Sequence, residues 1–360
     1  MVVPTIIYIY PMSKWVSFRF IAEQHVIQLR KYFNVQKVDE NAFSVIMPIA
    51  QLSANCIFFL HPYFFQMQYN LNKLLAKIGK PERIIGVDVA DTDHITKYGV
   101  ELSNYAMAMI MPSNFSKKSL ENSGVKIPVY VVPHGVDNYW IDSPPPKPDV
   151  FKKLFDYKME NNVKLIQLWV LHSEYRKGLD LAYKIFNKLI KERKDVALVV
   201  RFSNNTHVID TPIKDNKPNP KIIISASFLT NEKIKELIDV CDIFLLASRG
   251  GGFEHPALLA LSRGKVVIGA KGGAWEDYLP NWALVPSIKS GIILPNNPIH
   301  DGYGVEMIID KAVDLLHNIL NNLDDYKARV KNYVNTCVRE RYTWDKIGLL
   351  LKDIVQKHSF

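Results

Sequence analysis

Short, nearly continuous apolar runs alternate along this chain with longer stretches of mixed apolar and polar residues. In the first half the runs at 5–10, 35–38, 56–60, 83–89, 106–111 and 129–132 predict strands, and 17–33 and 64–79 predict helices. In the second half, strands are expected at 164–170, 196–202, 222–225, 242–247 and 265–269, with helices at 179–192 and 231–240. A further short helix runs from Pro256, which suits a first helical turn, to the terminating Gly264. Strand-helix alternation of this kind predicts α/β architecture with parallel sheets that bind ligands at the strands' carboxyl ends. The longest apolar stretch, 45–65, is broken by Pro48, Gln51, Asn55, His61 and Pro62. It reads as a helix followed by a buried strand, and not as a membrane span.

Between the halves stands Ile141-Asp142-Ser143-Pro144-Pro145-Pro146-Lys147-Pro148, stiff and unable to join either ladder. The expected division is a domain over 1–142, a proline-rich linker over 143–150, and a second domain over 151–342. Two such domains leave a cleft between them, the usual place for a substrate.

Composition refines this only modestly. The 3 cysteines, Cys56, Cys241 and Cys337, are far apart and match neither a disulfide framework nor a zinc pair, which suggests a reducing compartment. Met1-Val2-Val3-Pro4 lacks the basic start of a signal peptide, so a cytoplasmic location is expected. The formal net charge of +9 is spread over both halves. Basic clusters at 73–83 and 188–194 read first as solvated helix faces, with peripheral docking to an anionic membrane or docking to phosphate-bearing substrates as the alternative. Nucleic acid is not expected as a partner, because no familiar binding motif is present.

Chemistry concentrates at three places. Gly250-Gly251-Gly252 precedes the helix at Pro256, offering free N–H groups and a dipole end to an anion. Arg176 and Lys177 fall between a strand and a helix, where two cations could hold a diphosphate. Asp88, Asp91, Asp93 and His94 form an acidic cluster near a strand end; Thr92 to His94 also read as a cap for a helix starting near Ile95.

Taken in order, several segments resemble the family-4 glycosyltransferases of GT-B fold. They are Pro112-Ser113-Asn114-Phe115-Ser116, Val131 to Asp137, Arg176-Lys177-Gly178-Leu179-Asp180, Val240-Cys241-Asp242-Ile243, Gly252 to Ile268, and Trp344 near the chain end. The resemblance covers most of 106–350 and is weak over the first hundred residues. It implies two Rossmann-like parallel-sheet domains facing a central cleft, with a terminal helix over 343–360 crossing back to the first. It implies further a retaining, metal-independent transferase with no cofactor, whose donor is a UDP- or GDP-sugar and whose acceptor is a sugar, lipid or protein-linked glycan. By the same resemblance, Lys177, Arg176 and Glu254 would be catalytic. Gly250, Gly251, Gly252, Phe253, His255 and Arg201 would bind the donor, and Asp88, Asp91, Asp93 and His94 would face the acceptor.

The departures are specific. The family reads Glu-Gly-Phe-Gly-x-Pro-x-x-Glu where this chain places Gly251 and Leu259 at the two glutamate positions, with Glu254 three residues after the first. The family's Gly-Arg before Lys-Gly is Val170-Leu171, and its N-terminal Gly-Gly loop is replaced by Tyr10-Pro11-Met12-Ser13-Lys14-Trp15. These losses keep two other readings open: a catalytically reduced GT-B scaffold that binds sugar or nucleotide, and a sugar-nucleotide epimerase.

Overall fold

The computed structural model describes residues 4–52, 55–171, 173–202, 221–225 and 229–359, the side chains of 221–225 excepted. Its first sheet has six parallel strands in the spatial order Asn34–Asp39, Thr5–Tyr10, Cys56–Leu60, Ile84–Val87, Ala108–Met111, Val129–Val131. The second also has six parallel strands, in the order Leu284–Val285, Val266–Ala270, Ile243–Leu246, Lys164–Val170, Val196–Phe202, Lys221–Ser225. The central strands of both are buried on both faces, which is why each is an unbroken apolar run.

The stretch 45–65 resolves into the helix Phe43–Ala50 and the buried strand Cys56–Leu60. Near Ile95 the helix starts later than expected, at Lys97, and its cap is Thr96, whose hydroxyl accepts from the Gly99 N–H. Thr92 does not cap it; its hydroxyl donates to the His94 carbonyl. An antiparallel hairpin, Ser287–Ile292 with Tyr303–Met307, extends from the second domain toward the first.

Two chain passes join the domains. The 143–149 segment lies on the second domain, where Lys235 donates to the Pro144 carbonyl and Glu236 accepts from the Asp149 N–H. Val136 bonds to the return pass through Tyr342 and Trp344. The terminal helix Trp344–Lys357 then packs Trp344, Ile347 and Leu351 into the core of the first domain, beside Tyr8 and Val26. Among the described residues no helix is long and apolar enough to cross a membrane.

Candidate active site

The site is set by how the Arg176-Lys177-Gly178 turn meets the loop after strand Ile243–Leu246. Gly178 adopts φ +72°, and a side chain there would run into the Ala247 carbonyl. Only glycine lets the two backbones approach so closely. The Arg249 N–H donates to the Arg176 carbonyl at 2.7 Å and locks the contact. Behind it, the buried Arg249 guanidinium forks onto Asp180 at 2.7 and 2.8 Å and bonds Glu306. Arg249 therefore serves as a strut, while Arg176 and Lys177 are delivered to the cleft.

The cleft between the domains is a cavity of about 500 Å³, within the size of small-molecule sites. Lys177 and Glu254 meet in it, Nζ to Oε1 at 2.5 Å, with Ser248 Oγ at 3.2 Å from the same carboxylate oxygen. Arg176 donates to the Gly250 carbonyl at 3.0 Å and faces Asp91 at 3.5 Å. Among the described residues the Arg176 Nε has no hydrogen-bond partner. Asp91 accepts the Gly252 N–H at 2.9 Å from across the cleft. Burial pushes the Asp91 carboxyl up, but Arg176, His300 and Lys177, with that N–H, hold it below the usual carboxylate range. Two cations and two carboxylates thus balance around the glycine loop.

Glu254 holds a left-handed backbone, φ 65° and ψ 60°, at the N-cap of helix His255–Ser262. This costs a side-chain-bearing residue roughly 1–2 kcal/mol. Its carboxylate does not cap that helix; it turns back toward Lys177. A side chain at position 251 would begin inside that carboxylate. Gly251 therefore leaves open the space that the Glu254 carboxylate fills, and a side chain at 251 would displace that carboxylate from its place beside Lys177.

The other expected residues are distributed unevenly. Phe253 is buried and packs on His134 and Tyr278, with ring centroids 4.7 and 5.0 Å away. His255 lines the cleft but spends Nε2 on the Gly135 carbonyl at 2.9 Å. Arg201 lies behind Trp169, its guanidinium 4.3 Å from the ring centroid, and Trp169 is the one that lines the cleft. Asp88 sits in a neighbouring hollow, accepting N–H groups of Phe64 and Val89; burial raises its carboxyl to about 7 against those bonds. Asp93 and His94 do not line the cleft. Asp93 accepts the Tyr303 N–H at 2.9 Å and faces Lys289 at 3.3 Å, while His94 bridges Asp93 and Asp301. Both anchor the hairpin to the first domain.

Sequence patterns did not point to His61, His134 or Trp169, nor to Phe18 and Phe20 of helix Ser17–Leu29, all of which line the cleft. For His134 a signal existed, since it stands in the Val131-to-Asp137 turn. The others come from strand and helix ends that only tertiary closure brings together. Leu259 lies in the core of the second domain, 7% exposed, so that position offers the cleft no polar group.

This architecture is that of the GT-B glycosyltransferases: two parallel-sheet α/β domains about one cleft. The Anabaena HepE structure in complex with UDP superposes with TM-score 0.67 at 11% identity, covering 98% of this chain and 100% of that one. An E. coli trehalose-6-phosphate structure with UDP-2-fluoro glucose gives 0.68 at 10%, covering 98% of each. No family model matches the chain. Among sequences, it is 33% identical over 366 residues to Uncharacterized protein 356 of Sulfolobus islandicus rod-shaped virus 1, covering 99% of both, and it belongs to the family of that protein. It is also 26% identical over 307 residues to Putative glycosyltransferase 45 of Sulfolobus islandicus filamentous virus, covering 79% of this chain and 78% of that protein.

Proposed function

We propose that the protein is a retaining glycosyltransferase that takes a sugar from a UDP- or GDP-sugar and passes it to a sugar acceptor without a metal ion. The observation that carries this reading is the convergence of Arg176, Lys177, Glu254 and the 250–252 loop on one interdomain cleft. A diphosphate there would meet two cations and the N-terminal end of helix His255–Ser262. Lys177 and Arg176 would stabilise charge growing on the departing phosphate oxygen, an electrostatic role in a site already shaped for it. Lys177 has three donor hydrogens, so binding phosphate need not break its bond to Glu254. Glu254 would in turn accept hydroxyls of the donor sugar. The acceptor oxygen attacks the anomeric carbon as the bond to phosphate breaks, and the acceptor proton leaves on that phosphate. Similar structures that carry UDP and UDP-glucose support a nucleotide-sugar donor.

A second reading, a sugar- or nucleotide-binding scaffold, is favoured by Leu259, which leaves the donor ribose without the family's carboxylate. Calorimetry separates the metal question first. UDP or GDP should bind equally with and without a chelator, and binding abolished by the chelator would contradict the metal-free account.

A further inference from the structure

Beside the donor cleft lies a second hollow of about 550 Å³. The two share Val16, Phe18, Val89 and Asp91, so a molecule in one reaches a molecule in the other across the Asp91 carboxylate. One wall is the helix Tyr63–Ile78, which presents Phe65 and Tyr69 at 45% and 62% exposure with ring centroids 4.8 Å apart. Their planes stand 57° apart and the Lys14 ammonium lies 5.5 Å from the Phe65 centroid, so each ring offers its own apolar face at the rim, Tyr69 the more open one.

This hollow holds no surplus positive charge. Glu40, Asp91 and Asp88, the last with its carboxyl raised by burial to about 7, line it against one ammonium, Lys14. Lys14 is already paired with Glu40 at 2.5 Å. His300, the remaining basic group of this lining, has a buried Nδ1 with no partner among the described residues, and burial pushes its ring below the ordinary imidazole range despite Asp91. Arg176 and Lys177 belong to the donor cleft and are absent from this lining. A phosphate here would face carboxylates with no uncommitted cation, which disfavours it strongly. A ring of hydroxyls finds the opposite: carboxylate acceptors, and aromatic faces for its C–H side.

We propose that this hollow is the acceptor subsite and that it takes an uncharged pyranose, packed edgewise between the tilted rings of Phe65 and Tyr69, while rejecting sugars that carry phosphate. This rests on the glycosyltransferase reading, and it narrows the acceptor to the end of a neutral glycan.

The test is ligand-observed saturation-transfer NMR on the full chain saturated with UDP. The probes are methyl glucosides, mannosides and galactosides, each compared with the corresponding hexose 6-phosphate. At least one methyl hexopyranoside should bind, and no 6-phosphate should displace it. The double variant Phe65→Ala/Tyr69→Ala changes only exposed rings and should weaken that binding about 10-fold, with UDP affinity unchanged by calorimetry. Preference for a 6-phosphate, no sugar binding beside bound UDP, or unaltered sugar binding in the double variant would each overturn the proposal. Loss of UDP binding in the unaltered chain would instead strike the donor reading on which it stands.

Discussion

Glu254 reaches Lys177 at 2.5 Å from a position where its backbone is left-handed and its own helix goes uncapped by its side chain. Strain of this kind persists where surrounding contacts over-determine it, and it concentrates at functional sites. The local order Gly-Gly-Phe-Glu over 251–254 resembles the Glu-Gly-Phe-Gly of family-4 glycosyltransferases with the carboxylate and a glycine exchanged. The structure gives the exchange a physical basis, because Gly251 leaves room for the carboxylate that arrives from 254.

That exchange predicts a compensating pair. Glu254→Gly alone should lower turnover about 10²-fold, on the scale of losing one preorganised polar contact. Gly251→Glu alone should also be damaging, since its side chain enters the Glu254 carboxylate. The two together should recover activity to within about 10-fold of the unaltered chain, a large coupling between neighbours. Turnover of the four species decides it; a double variant no better than the worse single would show that the carboxylates are not interchangeable.

Asp91 competes for the groups a diphosphate would use, through the Gly252 N–H and Arg176. Asp91→Asn keeps an acceptor for that N–H while removing the charge. Free UDP or GDP should then bind about 10-fold more tightly, with turnover lowered if the carboxylate also orients the acceptor. Calorimetric affinities equal to or weaker than those of the unaltered chain would place Asp91 outside the phosphate cradle.

Acid should destabilise the domain junction. His25, His61, His134 and His255 cluster around Tyr8, Phe253 and Trp344. Burial drives all four down: His25 to about 3, His255 to about 4 against a hydrogen bond to Gly135, and His61 and His134 well below their ordinary value. Folded values below the unfolded one mean that this stabilisation is whole above pH ~6.5 and is lost as pH falls through the folded values. Asp88 acts oppositely: burial raises it to about 7, so its contribution grows as pH falls below that. Four imidazoles should outweigh one carboxyl. The Tm should drop by roughly 5 °C or more between pH 7 and 5, and a flat or rising Tm would show that these rings are accessible or already paired when charged.

How much of this was legible follows from burial. Strands such as Cys56–Leu60 and Ile243–Leu246 are enclosed on both faces and announce themselves as apolar runs. The hairpin strand Ser287–Ile292 is largely exposed and reads Ser-Ile-Lys-Ser-Gly-Ile, with nothing to mark it as a strand. Arg176 and Lys177 could be picked out because a glycine follows them at a turn. Asp93 and His94 could not be told from cleft residues, because their partner Tyr303 is 210 residues away in sequence. The same holds for His61 and Trp169, which line the cleft only because the carboxyl ends of strands Cys56–Leu60 and Lys164–Val170, in different sheets, both open onto it. Glu254 was visible as a displaced carboxylate, but its aim at Lys177 depends on a backbone angle that sequence does not display.

The most direct measurement is nucleotide release from a panel of UDP- and GDP-hexoses, run on the unaltered chain beside Lys177→Ala and Glu254→Gln. One donor should be turned over. Lys177→Ala should cut that rate about 10²-fold or more and weaken binding of the free nucleoside diphosphate. Glu254→Gln should lower turnover and blur discrimination among donor sugars, leaving free-nucleotide affinity nearly unchanged. If instead the chain binds nucleotide sugars and releases none, with all three proteins indistinguishable, it is a binding scaffold and the catalytic account is wrong.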